Sequence, residues 1–348
     1  MLCRKYGRPS TLVLITILLM AALVFFFGIT THLHSNVDSS VKTNIQQVRN
    51  ELSYHFHQKL ESVKTIVKID PALKPRNIKL LNQQDIQPFR GNILFLVNSN
   101  IGNKERRTSI RKNWANQTKF NQHRKKFHNV SFKAYFMTGF KAEKFNLAKT
   151  ESVKYGDLLI TNRTEDYWDF SRRAMISFHW TIENCYYDYL LKADDDIFIH
   201  IPNLFTFLYK DPYVLKHHDR LYAGYIIMHG KPHRNLKFKW GVTYEEWGAD
   251  AYPPFSTGMG FILSRFIIEK MIPHFDWEKP FRVDDVYIGH LVYMAQISNI
   301  GIRSSVGQEF SRFNDPKKCP IQSKAIVYHQ VLTEDCMRKL TESSLKVK

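Results

Sequence analysis

A short aromatic and aliphatic run, Tyr187 to Leu191, leads straight into Lys192-Ala193-Asp194-Asp195-Asp196-Ile197-Phe198. The run has the length and composition of a buried strand. Adjacent carboxylates repel one another and resist desolvation. The strand must therefore end at the rim of a core, where something cationic can meet them. Side chains alternate along a strand, so Asp194 and Asp196 are expected on one side and Asp195 on the other. Two carboxylates on one side suit a hard divalent cation, Mn²⁺ or Mg²⁺, bridging to a phosphate-bearing substrate. A calcium loop of the EF-hand type is excluded. Counted from Asp194, Phe198 and Ile199 fall where that loop needs an oxygen ligand and a glycine. A solvated acidic turn is the plainer alternative.

The same strand-then-helix grammar recurs upstream. Asn92 to Val97 reads as a strand, followed by a turn at Ile101-Gly102-Asn103 and a basic helix from Lys104 to Trp114. Ser131 to Met137 and Lys154 to Ile160 read as two more strands. A helical face of Met175, Phe178, His179 and Ile182 then precedes the Asp triple. Strands alternating with helices predict an α/β domain with a largely parallel, Rossmann-type sheet and flanking helices. Ligands of such sheets bind beyond the carboxyl ends of the strands, which is where the Asp triple lies. This globular part is expected over 90–348.

Ahead of it, Arg4, Lys5 and Arg8 precede an uncharged apolar stretch from Thr11 to Ile29. About nineteen residues suffice to cross a bilayer. The stretch is longer than a signal-peptide core, and no clear cleavage site follows it. The expectation is a cytosolic tail at 1–10, an uncleaved transmembrane anchor at 11–29 and a lumenal chain beyond. Over 30–89 a stem is expected. Its apolar stripe, from Val41 through Ile45, Val48, Leu52, Phe56 and Leu60 to Val63, recurs about every 3.7 residues, a single helix rather than a strict heptad coil. The stripe offers a surface for homodimer formation. Three glycosylation patterns, at Asn116, Asn129 and Asn162, agree with a lumenal chain. Of the lumenal cysteines, Cys319 and Cys336 are the most local pair, which would leave Cys185 a buried thiol. Spacing alone leaves that connectivity open. A formal net charge of +18 invites a nucleic-acid reading. A lumenal position and the dispersal of the basic residues oppose it, and attraction for nucleotide diphosphates, acidic glycans or membranes fits better.

Val283-Asp284-Asp285-Val286-Tyr287-Ile288-Gly289 is a second acidic site, opening a helical pattern. Aspartate there caps a helix or serves as a general base, and the helix dipole keeps it ionised. Tyr252 to Ser264 joins an aromatic-proline turn to two glycines that let a backbone approach a ligand. His229 and His233 read as exposed loop residues. His329 closes an apolar run and is ordinarily structural.

Taken in order, these segments resemble the β1,3-galactosyltransferase-type glycosyltransferases, a family of type II Golgi membrane proteins with a GT-A fold. Arg106 to Trp114 is similar to that family's Arg-Arg-x-Ala-Ile-Arg-x-Thr-Trp motif, with Ser109 for Ala and Asn113 for Thr. Tyr155-Gly156-Asp157 and Asp166 to Phe170 are similar to its next segment, and Leu191 to Phe198 to its Lys-x-Asp-Asp-Asp-x-Phe. Lys239-Trp240 and Tyr252 to Ser264 resemble its acceptor-side segment. Asp284 to Gly289 resembles Glu-Asp-Val-Tyr-x-Gly with Asp for Glu.

The resemblance implies a UDP-sugar donor, Mn²⁺ or Mg²⁺, and a glycan acceptor on glycoprotein or glycolipid. It implies that Asp194, Asp196 and His329 hold the metal and that Asp195 contacts the ribose. Lys192, Arg107 and Arg111 then belong to the nucleotide side, and Asp285 is the base, with Asp284 second. The expected reaction is an inverting hexose transfer forming a β1,3 bond. A metal-dependent phosphohydrolase and a silent glycan-binding protein are the alternatives.

Overall fold

The structure is a computed structural model and describes residues 77–304, 309–311, 319 and 325–347. The apolar stretch at 11–29 and the stripe from Val41 to Val63 lie outside these residues. Among the described residues, no helix is long and apolar enough to cross a membrane.

In chain order the elements are β1 (Ile93–Asn98), α1 (Lys104–Lys112), α2 (Asn121–Lys126), β2 (Phe132–Phe140), α3 (Ala142–Tyr155), β3 (Leu158–Thr164), α4 (Phe170–Asn184) and β4 (Tyr189–Asp194). Then follow β5 (Phe198–Ile199), α5 (Ile201–Lys210), α6 (Pro212–Lys216), β6 (Leu221–Ile227), β7 (Phe255–Ser264) and α7 (Arg265–Met271). The last are α8 (Asp284–Met294), β8 (Gly301–Ser304), β9 (Phe310–Ser311), β10 (Val327–Tyr328) and α9 (Glu334–Leu345).

The main sheet runs β3-β2-β1-β4-β7-β6-β8. Strands β3, β2, β1 and β4 are parallel, and β7 lies antiparallel to both neighbours, so the sheet is mixed. Every residue of β1 is buried, as a strand with helices on both faces requires. Alternation divides its side chains between two layers. Ile93, Phe95 and Val97 pack with Trp114, Leu204 and Met337 on one face. Leu94 and Leu96 pack with Phe178, Ile267 and Leu291 on the other.

Two expectations shift. The third strand starts at Leu158, because Lys154 and Tyr155 finish α3 and Gly156, at φ 63°, caps it in the left-handed conformation. The packed unit also begins before residue 90, since Ile78, Leu80 and Ile86 are buried in the core. Asn82 acts there as an edge strand would: its Nδ2 donates to the Leu158 carbonyl at 2.7 Å and its Oδ1 accepts from the Ile160 N–H at 3.0 Å.

A small second sheet, β5-β10-β9, sits just after the Asp triple. Cys319 and Cys336 form a disulfide, and Cys185 is a free buried thiol. Strands β6 and β7 pair through Ile227 and Phe255, so the chain over 228–254 leaves and re-enters the sheet at one place.

Candidate active site

Strand β4 carries the Asp triple to the carboxyl edge of the sheet, where Asn98 at the end of β1 is the register partner of Asp194. The Asn98 amide donates to Asp194 Oδ1 at 3.2 Å. The strand ends there, and Asp195 and Asp196 form the turn that follows. They face opposite neighbours. Asp195 accepts from Ser99 Oγ and Asn103 Nδ2, both at 2.8 Å, and pairs with Arg106 Nη1 at 2.9 Å. Asp196 turns toward His329, its Oδ2 standing 3.7 Å from Nε2. The small sheet causes that approach, because Phe198 pairs with Tyr328 and the Val331 N–H donates to the Asp196 carbonyl at 2.7 Å. Trp114 pins the turn from below, its Nε1 donating to the Ile197 carbonyl at 3.0 Å.

Arg107 and Arg111, expected on the nucleotide, are committed elsewhere. Arg107 is fully buried and forks onto Glu151, with both contacts at 2.8 Å. Its remaining donors reach Ser99 Oγ and the carbonyls of Asn100 and Ile101. Arg111 forks onto Asp157 at 2.7 Å, pairs with Glu151 and stacks on Phe136 and Tyr155. Both act behind the β1–α1 loop and stiffen it. The guanidinium at the surface of the site is the neighbouring one, Arg106.

The second acidic site joins the first through a buried ion pair. Lys192 Nζ, on β4, meets Asp284 Oδ2 at 2.9 Å. Burial alone would lower the Lys192 pKa, but Asp284, Asp285 and Asp194 outweigh it and hold the ammonium above its usual value. The cap of α8 is Val283, so Asp284 and Asp285 are both first-turn residues rather than caps. Asp285 is half-buried and receives the Gly258 N–H, while its Oδ1 is shut off from solvent with no partner. Burial raises the Asp285 carboxyl well above the carboxylate range. Asp284 and Asp194 add to the shift and Lys192 opposes it. Burial likewise pushes Asp194 up to about 7, with Lys192 opposing and Asp284 and Asp196 adding. A Cβ at Gly258 would sit 2.9 Å from Asp285 Oδ2, so any side chain there would displace that carboxylate.

Among the described residues, no three His, Cys, Asp or Glu side chains converge tightly enough to form a ready metal cage. What is present fits a hard dication held partly by its substrate. Asp196 Oδ1 and His329 Nδ1 are buried without partners, burial raises the Asp196 pKa against the pull of His329, and carboxylate oxygens suit Mg²⁺ or Mn²⁺.

Tyr167 borders the cluster. Its hydroxyl accepts from Trp240 Nε1 at 3.1 Å and lies in the field of Asp284, Asp285 and Asp194, which with burial raises its pKa. His229 and His233 are exposed loop residues. The residues that sequence reasoning missed are Asn98, Ser99, Asn103, Arg106 and Tyr167. The first three share one signal, a polar stretch that runs from the end of β1 through the turn before α1, beside the strand that ends in the triple.

A family model described as galactosyltransferase matches residues 105–303, more than half of the chain. The chain belongs to the galactosyltransferase family. Within this family's matched span lie both acidic sites of the chain, whereas His329 lies beyond it. The galactosyltransferase-family chain is 26% identical over 212 residues to UDP-GalNAc:beta-1,3-N-acetylgalactosaminyltransferase 1 of Homo sapiens, covering 59% of this chain and 61% of that one. It is 29% identical over 201 residues to N-acetyllactosaminide beta-1,3-N-acetylglucosaminyltransferase 4 of Homo sapiens, covering 57% and 50%. It is 28% identical over 213 residues to beta-1,3-galactosyltransferase brn of Drosophila melanogaster, covering 61% and 62%. The matches thus span less than two thirds of the length of these curated relatives.

Proposed function

We propose that the chain is an inverting, metal-dependent hexosyltransferase of GT-A type. It moves galactose or an N-acetylhexosamine from a UDP-sugar to a glycan hydroxyl and forms a β1,3 linkage, as a type II protein of the Golgi membrane. The observation that carries this reading is the 2.9 Å Lys192–Asp284 pair. It ties the strand bearing the triple to the helix bearing Asp285, so a cation-binding edge and a candidate base share one cluster. The three relatives described above, β-1,3 transferases of different sugars by name, support the linkage.

In this mechanism Asp285 takes the proton of the acceptor hydroxyl at Oδ1, the oxygen left without a partner. The acceptor oxygen bonds to the anomeric carbon as the bond from that carbon to the UDP oxygen breaks on the opposite face. Lys192 opposes the rise in the Asp285 pKa and so favours its ionised form. Asp195, oriented by Ser99, Asn103 and Arg106, accepts ribose hydroxyls. Asp194, Asp196 and His329 would hold Mn²⁺ or Mg²⁺, which when bound neutralises charge on the departing diphosphate.

The test offers purified full-length chain in detergent each of UDP-galactose, UDP-N-acetylglucosamine and UDP-N-acetylgalactosamine, with an acceptor array, with and without Mn²⁺. Acceptor-dependent UDP release that EDTA abolishes and Mn²⁺ restores is expected. UDP release independent of acceptor would instead indicate hydrolysis.

A further inference from the structure

Between Glu105 and Glu143 the chain carries ten lysines and arginines and no carboxylate side chain. The fold uses six of these cations internally. Arg106 meets Asp195, Arg107 meets Glu151, and Arg111 meets Asp157. Lys133 Nζ reaches the Gln87 carbonyl at 2.9 Å, and Lys141 pairs with Glu143. Arg124 donates from Nε to the Val130 carbonyl at 2.7 Å and from Nη1 to Asn121 Oδ1 at 2.8 Å. Lys112, Lys119, Lys125 and Lys126 remain. All four are exposed and make no ion pair among the described residues.

Other elements bring further charge to them. Helix α2 stands just before β2, at the amino edge of the parallel strands. Phe127, which follows α2, packs its ring on Phe205 and Tyr209 of α5, and Tyr209 meets Tyr189, the first residue of β4. Lys210, the last residue of α5, comes over the Phe127 ring, its Nζ 5.1 Å from the centroid. The carboxyl-terminal segment arrives from α9. The Val347 carbonyl contacts His123 Nε2 at 2.8 Å, which puts the exposed Lys346 beside α2. Lys119, Lys125, Lys126, Lys210 and Lys346 thus gather around one helix. The carboxylates closest to them along the chain are engaged. Asp211 caps α6 and stands 3.7 Å from Arg303, and Glu342 pairs with Arg338 at 2.8 Å. The Asp triple lies at the opposite, carboxyl edge of the sheet, so this surface is separate from the transfer chemistry.

The chemistry of the patch narrows its partner. The free cations are all lysines, hydrated point charges without the planar fork that grips one phosphate in two places. Such a set reads charge density along a polymer rather than a single small anion. Protein interfaces are depleted of lysine. Single-stranded nucleic acid is held by open rings on which bases stack, and here Phe120 is buried and Phe127 lies beneath Lys210. Anionic lipid is concentrated on the cytoplasmic leaflet, across the membrane from the lumenal placement proposed above. The polyanion that remains is a sulfated polysaccharide.

We propose that the amino edge around α2 is a docking surface for a sulfated polysaccharide, held by charge and apart from the transfer site. The choice of polymer rests on the lumenal reading given above, whereas the surface itself does not.

The test titrates heparin into the purified full-length chain in nonionic detergent. N-glycans are removed first, because the patterns at Asn116 and Asn129 border the patch. Binding that weakens steeply with NaCl is expected, since a polyanion releases its counterions when lysines neutralise it. At about 0.15 M NaCl, the variant Lys125→Ala with Lys126→Ala and Lys210→Ala should bind about tenfold more weakly. A control that removes the same charge elsewhere, Lys144→Ala with Lys149→Ala and Lys279→Ala, should stay within about twofold. Arginine at the three patch positions should keep the affinity, and desulfated heparin should lose it. UDP affinity in Mn²⁺, read on the same samples, should not change in any variant, which keeps this surface distinct from the donor reading. No binding of heparin, or equal loss in patch and control variants, would overturn the proposal. So would displacement of heparin by UDP, or tighter binding of phosphatidylserine vesicles, single-stranded DNA or polyglutamate than of heparin.

Discussion

Asp285 combines one oxygen against a backbone N–H with one that has no partner, an arrangement that suits the base role proposed for it. Asp285→Asn should lower kcat by about 10²–10⁴ and leave UDP affinity unchanged by calorimetry. The pH profile carries the sign. The proposed base, Asp285, would work ionised, and its pKa is raised by burial and by Asp284. The rate should therefore fall as pH drops through a value above the ordinary carboxylate range of about 4. Asp284→Asn removes a like charge and frees Lys192 to act on Asp285 alone, so the acid limb of kcat/KM should move to lower pH. A limb that moves up, or complete loss of activity, would transfer the base role to Asp284. Gly258→Ala drives a methyl toward the same carboxylate. Steady-state kinetics should show a fall in kcat without a matching loss of thermal stability.

Strand β4 and helix α8 are joined by Lys192 and Asp284, both nearly inaccessible to water. Breaking a buried pair leaves one charge stranded, which costs about 3–5 kcal/mol. Urea unfolding of Lys192→Met should show a loss of that size. The double variant Lys192→Met with Asp284→Asn should recover part of it, because Asp284 is then no longer stranded, while Asp285 and Asp194 still lack the ammonium that faced them. This element-level tie also explains what was legible in sequence. The apolar run before the triple, the helix opened by Asp284 and the strand from Asn92 to Val97 all announced themselves through local pattern. The partners of Arg107 and Arg111 did not. The family resemblance assigns both arginines to the nucleotide, and only the fold brings Glu151 of α3 and Asp157, in the turn after it, to them. Helix α3 itself was hidden, since its buried residues are few and small or polar. That absence of an apolar stripe let its last turn pass for the start of β3. Arg106 was overlooked for the converse reason, because a half-exposed cation has no sequence signature until Asp195 is found 2.9 Å away.

At the scale of the molecule, the carboxyl-terminal segment returns to complete what β4 began. Val327 and Tyr328 pair with β5 and bring His329 to Asp196, and the Cys319–Cys336 disulfide encloses that return over a separation of 17 residues. Closing a loop of this length contributes about 3 kcal/mol through the unfolded chain. Cys319→Ser with Cys336→Ser should lower the unfolding free energy by about that much. It should also raise the Mn²⁺ concentration needed for half-maximal transfer, which a metal titration would read. The long excursion between β6 and β7 is anchored quite differently, by Ile227 and Phe255 lying side by side. Its two ends sit at a fixed gap whatever length of chain spans them, and the entropic cost of spanning grows only with the logarithm of that length. Such a segment is interchangeable: it can be cut out and replaced by another of different size and surface while the seven strands keep their register. The surface that this excursion presents can then change by swapping a single cassette, with the rest of the sheet left as it stands.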